Sequence, residues 1–364
     1  MPQLAHVIAT LEEWFDPGRA ESWDSVGLTC GDPEVDVTQV VLAVDAVPQT
    51  VAEAEAAGAQ LLLTHHPLLL SPVHGVPVTN PKGALVHRMI RSGIAHYVAH
   101  TNADVADPGV SDALAARLGV AQLRPLDAAP EEVRDTLVVF VATDDAAGVT
   151  DSLIAAARAT HAWSTIGVAV RAEPGGRPTQ PTAETRIELT APRPILSDVV
   201  TALRPQRFDV YPHVAVGGSW GTGRLGELDA PTNLREFLSR AVQALPPTVW
   251  GIRAAGHPNR EVRRVAVCGG SGAPFIEAAR RAGADAYVTS DLRHHVTLEA
   301  VSERGADAMA LVDAAHWATE APWLDALAER VRERFGTTVD VTVSRTVTDP
   351  WTLHAPSPET SPSP

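Results

Sequence analysis

Three short stretches of the chain carry imidazole and carboxylate groups at spacings that suit metal-ion chemistry. The first is Gln60–Leu70, an apolar run of strand length that ends in His65 and His66 and is stopped by Pro67. Apolar residues flank the pair on both sides, and two imidazoles at the lip of a buried strand need partners. A metal ion is one natural partner, since neutral imidazole binds zinc and suits iron and nickel. Backbone carbonyls are the other. Adjacent residues leave a strand in opposite directions, whereas in a turn both rings can converge, or each can serve a different ion. The second stretch is the apolar run Ile94–His100, whose exit carries His100 and Asp104. The third is Ala308–Val312, which exits through Asp313 to His316 and Glu320, a pair four residues apart that shares one face of a helical turn.

Histidines with carboxylates, and no cysteine among them, suit zinc, manganese or iron rather than a structural thiolate site. Five or six such groups exceed the three or four protein ligands that one catalytic zinc uses, so the simplest reading is two divalent ions about 3.5–4 Å apart with a bridging water. Such a centre supports attack of metal-activated hydroxide on an electrophilic carbon or phosphorus, with a nearby histidine or carboxylate moving protons. His100 and His96 are the candidates for that second task; either can instead be a satisfied core histidine. His294 and His295, adjacent at the start of a helix, either line the pocket or lie outside it.

The elements that must position these groups alternate between strand and helix. Leu4, Val7, Ile8, Leu11 and Trp14 sit at helical spacing, and Val40–Val44 is a strand closed by Asp45. Helices at 48–57, 81–92 and 110–118 each end at a glycine. Further strands are expected at 262–268, 284–289, 308–312 and 338–347, with helices at 232–244, 274–282 and 296–304. A long helix is expected from Pro322 to Phe335, because proline is tolerated in a first turn. Gly217–Leu228 is glycine-rich and reads as turns and strand edges; Gly269–Gly272 is either an anion-binding turn or a plain tight one. The order is that of an α/β layered architecture whose ligands collect at strand exits.

Near residue 125 the character changes. Strands at 135–143, 166–170, 184–190 and 207–214, with helices at 149–159 and 194–204, follow the β-α-β-β-α-β order of a ferredoxin-like unit. The chain thus divides into a first half, 1–125, an inserted domain, 126–215, a second half, 216–350, and a Pro/Ser/Thr-rich tail, 351–364, expected to be disordered. The balance of 44 acidic against 29 basic residues, a formal net charge of -15, opposes broad nucleic-acid or anionic-membrane binding. Cys30 and Cys268 are unpaired in pattern and fit a reducing cytoplasm. No apolar run approaches the roughly 20 residues that span a bilayer.

Taken in order, Trp23–Leu28, Thr64-His-His-Pro-Leu68, His96–Asp104, Gly269-Gly-Ser-Gly272, Asp285–Asp291 and Asp313–Glu320 resemble the Nif-three-like family, the GTP cyclohydrolase I type 2 homologues, over about 1–125 and 216–345. The resemblance implies a layered α/β fold with mixed sheets, interrupted by a ferredoxin-like insert related to the PII and CutA proteins. It implies that His65, His66, Asp104, His316 and Glu320 hold a dinuclear metal centre, with zinc the first choice and iron or manganese the alternatives. It also implies a ring-shaped homohexamer and hydrolysis of a small-molecule, nucleotide-like substrate such as GTP. Ser25 and Ser290 depart from the family's usual asparagine and glycine, and Arg158–Ser164 and Arg204–Arg207 stand where the insert's signatures are expected. A non-enzymatic metal-delivery or regulatory scaffold protein is the competing reading.

Overall fold

The computed structural model describes residues 1–128, 220–302 and 308–355, together with strands at 134–142, 166–169, 184–192 and 207–212 and positions 145 and 148. The chain forms two compact units, one of Met1–Ala128 with Ser219–Pro364 and one of Ala129–Gly218.

The larger unit contains two mixed sheets. The five-stranded sheet has the order β1 (Gly27–Cys30), β4 (Ala95–Val98), β3 (Leu61–Thr64), β2 (Gln39–Ala43), β15 (Asp340–Val343). Its strands run parallel except β1, which is antiparallel to β4. Side chains alternate between two cores: Val40, Leu42, Leu61 and Leu63 face one, while Val41, Ala43 and Leu62 face the other. Burial on both faces is why these strands read as unbroken apolar runs.

The six-stranded sheet has the order β11 (Ile252–Ala255), β14 (Ala310–Ala314), β13 (Ala286–Ser290), β12 (Glu261–Ser271), β10 (Gly221–Asn233), β5 (Val120–Ala128). Its parallel centre, β12–β13–β14, follows the same alternation, with Val265 and Val267 on one face and Ala266 and Cys268 on the other. The helix His316–Phe335 contacts both sheets and sends Trp317, Trp323, Leu324, Leu327 and Val331 into the core it shares with the first.

Two elements differ from the sequence reading. The last long helix begins at His316, with Pro322 inside it rather than in its first turn. Proline costs a helix interior roughly 3 kcal/mol. Every side chain from Trp317 to Leu324 is buried here, and each large apolar one contributes about 1.5–3 kcal/mol on burial, so packing outweighs the lost bond. The second difference is the glycine-rich stretch, which belongs largely to β10, an interior strand between β12 and β5. A Cβ on Gly226 would lie 2.3 Å from the Ala121 carbonyl oxygen, and Gly223 has φ +65°. Glycine is used there for close approach and bending, not as a turn.

In the smaller unit the four described strands, β6 (Arg134–Ala142), β7 (Ile166–Ala169), β8 (Glu184–Pro192) and β9 (Arg207–Pro212), pair antiparallel in the order β7-β8-β6-β9. β6 and β7 are thus parallel to each other across β8. The helices expected at 149–159 and 194–204 lie outside the described residues, as do the segment Arg158–Ser164 and most of the tail. No helix among the described residues is long and apolar enough to cross a membrane.

Arg224 on β10 is the largest fully buried side chain among the described residues and ties the second sheet to the helix Val110–Arg117 and the segment before it. It makes hydrogen bonds to Asp112 (2.8 Å) and to the carbonyls of Gly221 and Gly223 (2.8 Å each) and of Ala106. Removing one partner of a buried pair strands the other charge, at a cost of about 3–5 kcal/mol. Arg224→Met should therefore lower the unfolding free energy by about that amount in urea titrations; a loss under 1 kcal/mol would show that Asp112 is solvated in the variant.

Candidate metal centre

β3 ends at Thr64, and the next two residues turn out of the sheet. The main chain stays tethered, with His65 N–H donating to Ala43 O (3.2 Å) and His66 N–H to Val44 O (2.8 Å). The Thr64 hydroxyl donates to His66 O at 2.8 Å and pins the bend. Both rings therefore converge, with centroids 5.0 Å apart, instead of leaving on opposite faces. His65 is fully buried, edge-on to the Trp323 indole, and its Nδ1–H donates to Ala99 O at 2.9 Å.

His100 precedes the short helix Thr101–Asp104, which carries Asp104 at its end. His316 and Glu320 occupy the first turns of the long helix, and their side chains meet at 2.9 Å (Nε2 to Oε1). Glu320 is the common neighbour. Its Oε1 lies 3.5 Å from His65 Nε2 and its Oε2 3.1 Å from His66 Nε2. Asp104 Oδ1 lies 3.7 Å from His65 Nε2. Ligand-type atoms of His65, His66 and His100, and of His66, His316 and Glu320, fall within 4.8 Å of one another. His66, His100, Asp104, His316 and Glu320 line a cavity of about 1160 Å³ with Trp23, Trp250 and Trp351 among its walls, and His65 lies buried behind it.

The outer contacts repeat one pattern. His66 Nδ1 is 2.8 Å from Asp45, His100 Nδ1 is 2.8 Å from Asp24, and His316 Nδ1 is 2.7 Å from Asp291. Each acceptor fixes the Nδ1–H tautomer and leaves Nε2 as the free lone pair, as metal-ligating histidines require. In the sequence Asp24 reads as half of a packing and capping pair with Trp23 that at best supports a ligand, Asp45 as the end of a strand and Asp291 as the close of a strand-exit motif. No spacing rule links them to their histidines, which lie 76, 21 and 25 residues away. Asp291 adopts φ +58°, an uncommon region for a side-chain-bearing residue and one often seen at functional sites.

The residues fit a cation. His65 Nε2 and Asp104 Oδ1 are buried and lack a hydrogen-bond partner. Each such atom costs roughly 1–3 kcal/mol, and more when charged. The 3.5 and 3.7 Å separations are too long for hydrogen bonds. They match two donors bound at about 2.1 Å to one tetrahedral ion, which stand roughly 3.4 Å apart. Electrostatics agree. Burial opposes charge, yet the imidazoles of His66, His316 and His65 hold the Glu320 carboxyl well below its usual range. Against the same desolvation, Glu320 and the outer aspartates push His66 up to about 10 and His316 up to about 11. Burial, reinforced by Glu320, raises Asp104.

His96 is not brought to this cluster. It is fully buried, with Nε2 2.8 Å from the Thr64 hydroxyl, and burial lowers it to about 4. Its place is behind the His65–His66 bend. His294 and His295 are exposed and do not line the cavity. The turn expected at Gly269–Gly272 is instead the irregular end of β12, which runs to Ser271; there Gly269 N–H donates to Ser111 and Gly270 N–H to Thr319, so two of its donors are already engaged by the fold. Gly270, at φ +66°, is packed against the cluster: a Cβ there would lie 2.5 Å from Glu320 Oε1 and 3.1 Å from His316 Nε2.

Two outcomes follow from this geometry. Gly270→Ala should displace Glu320 and His316 and lower bound metal at least tenfold by elemental analysis, with circular dichroism unchanged; full metal content in the variant would contradict the packing. Ligation needs neutral imidazole, while His66 and His316 hold protons well above neutrality without a cation. Zinc binding at pH 7 should therefore release protons and tighten as pH rises. Calorimetry in buffers of different ionisation enthalpy measures the release, and heats independent of buffer would contradict it.

The comparisons with known proteins agree with this architecture. The family model described as Duf34/NIF3 (NGG1p interacting factor 3) matches residues 2–350. A Mycobacterium tuberculosis protein named GTP cyclohydrolase 1 type 2 homolog is 42% identical over 372 residues, covering 96% of this chain and 97% of the relative. A Streptomyces coelicolor protein of the same name is 38% identical, covering 99% and 98%. The crystal structure of a Bacillus cereus protein related to NIF3 superposes with TM-score 0.74 at 29% identity, covering 97% of this chain and 99% of that one. The chain belongs to the DUF34/NIF3 family, as its strand-exit motifs imply.

Proposed function

We propose that this chain is a metal-dependent hydrolase that holds two divalent ions, zinc first and iron or manganese as alternatives. The observation that supports it best is the convergence of the His65, His66 and His316 Nε2 atoms on the buried Glu320 carboxylate. His65, Asp104 and Glu320 would hold one ion and His66, His316 and Glu320 the other. Two such ions supply Lewis-acid activation of water and substrate when bound. The chain's own residues do the rest. Asp45 and Asp291 hold His66 and His316 in one tautomer, and Trp323 with the Ala99 carbonyl fixes the His65 ring.

His100 is the least enclosed imidazole at the cavity wall after His66 and His316, with a side chain 15% exposed. We assign it the proton transfer at Nε2, with Asp24 retaining the Nδ1 proton. Asp24 is itself fixed by the Thr101 N–H (3.0 Å) and hydroxyl (2.5 Å), and His100 and Thr101 together hold its carboxyl low despite burial. His96, sealed behind Thr64, supports the bend and takes no part in transfer. The relatives' name makes GTP the first substrate to try, and the cavity has room for a nucleotide-sized ligand. We further propose that the protein is a cytoplasmic homohexamer without a nucleic-acid or membrane partner; the antiparallel order of the four strands in the smaller unit supports a ferredoxin-like insert.

The test is elemental analysis of the wild type, His66→Ala and His100→Gln, followed by incubation with GTP and assay of formate and pterin fluorescence. The wild type should hold about two ions per chain and make product. His66→Ala should lose metal and product together. His100→Gln should keep its ions and lose at least a hundredfold in kcat, the scale of general acid–base catalysis. Metal loss in His100→Gln would move that residue into the ligand set beside His65 and His66. Two ions with no product would leave a metal-binding protein acting on another substrate or none.

A further inference from the structure

The segment after β15 wraps across the cavity and is tied down at each step. Ser344 N–H donates to Leu42 O at 2.8 Å, the Thr346 hydroxyl bonds Glu53, and the Thr348 hydroxyl bonds Asp45 Oδ2. The other oxygen of Asp45 holds His66 Nδ1. The next residues form cavity wall: Asp349, Pro350 and Trp351 all line it. Trp351 packs against Trp250 in a tilted contact, with ring centroids 5.8 Å apart and an interplanar angle of 31°, and 58% of its surface remains exposed. Asp349 hydrogen-bonds the Trp351 backbone, yet its Oδ2 is buried with no partner. Asp349 is not among the ligand-type atoms clustered within 4.8 Å of one another. The residue lines the cavity while its Oδ2 is closed off from solvent and unpaired, so a rotation of the side chain toward the cavity would exchange a costly buried oxygen for a hydrogen bond to a donor from outside.

We infer that Asp349 and Trp351 contact the substrate: the Asp349 Oδ2 atom accepts an N–H of a flat heterocycle, and the Trp351 indole stacks on its ring. This rests on the reading of the cavity as a small-molecule site. Indole faces stack on any flat ring. A carboxylate oxygen beside them selects, among such rings, those that carry an N–H donor at the matching edge. The assignment gives the end of the chain a role in specificity that no metal ligand supplies. It also couples that end to the centre, since Thr348 and His66 share Asp45.

The test uses the zinc-loaded, full-length protein and two nucleosides, guanosine, which has N–H donors on its base, and purine riboside, which has none. Binding is followed by tryptophan fluorescence quenching, with zinc content read on the same samples. Guanosine should bind the wild type more tightly than purine riboside. Asp349→Asn should weaken guanosine by roughly tenfold to a hundredfold, the range of a hydrogen bond to a charged group, and leave purine riboside and zinc unchanged. Trp351→Ala should weaken both nucleosides, each by roughly tenfold. Equal guanosine binding by wild type and Asp349→Asn, or no binding by the zinc-loaded wild type, overturns the inference and leaves the metal centre standing. Zinc loss in Asp349→Asn makes that residue a ligand and overturns it as well. A wild type that takes up no zinc removes the centre and this inference together.

Discussion

The structure depends on one buried carboxylate. Glu320 is 3% exposed and has three imidazoles against its two oxygens. An ionised carboxylate taken out of water costs several kcal/mol even after relaxation. Only positive charge close by can offset that. Protons on His66 and His316 do so in the metal-free protein, and divalent cations do so with less demand on the histidines, which then need carry no charge. The helix that bears Glu320 is fixed by its apolar face and not by this charge. Trp323, Leu324, Leu327 and Val331 anchor it in the core and so position Glu320.

Convergence at that point follows from the topology. β3 and β4 are parallel neighbours in the first sheet, so their exits lie side by side, and each leads into a turn that carries histidine. β13 and β14 are parallel neighbours in the second sheet, and their exits bring Asp291 beside His316. Parallel strands end at the same edge of a sheet, and polar groups gather where the apolar layer stops. Positive φ at Gly270, in the irregular end of β12, and at Asp291, just past β13, lets the backbone come close enough for side-chain contact. Bulk at Gly270 would occupy the space of the Glu320 and His316 donor atoms.

Much of this was legible in the sequence. The apolar runs ending in His65–His66, His100 and His316 are strand exits in the structure, and the four-residue spacing of His316 and Glu320 became a shared helical face. Local patterns reveal such features because strand and helix periods are local. The partners were not legible. Asp45 supports His66 across 21 residues and Asp24 supports His100 across 76, so each pair exists only once the sheet has formed. For His96 the sequence leaves a chemical and a core role open, and strand register sets it in the core at Thr64. The glycine-rich stretch misled because composition argues for turns, while an interior strand crossing close to Ala121 needs the missing Cβ.

The cluster has a surplus of acid. Asp24, Asp45, Asp104, Asp291 and Glu320 surround four histidines, in a chain whose formal net charge is already -15. Outer carboxylates raise the basicity of the imidazoles they hold, which strengthens metal binding and proton retention together. The two occupants therefore compete for the same sites, and the balance between them is set by the second ring of aspartates as much as by the ligands. Asp45 stands out within that ring, because it accepts from both His66 and Thr348. Anything that lifts the terminal segment removes one of its partners and frees its carboxylate to rotate. The orientation of His66 and the seating of the cavity wall are then one equilibrium rather than two.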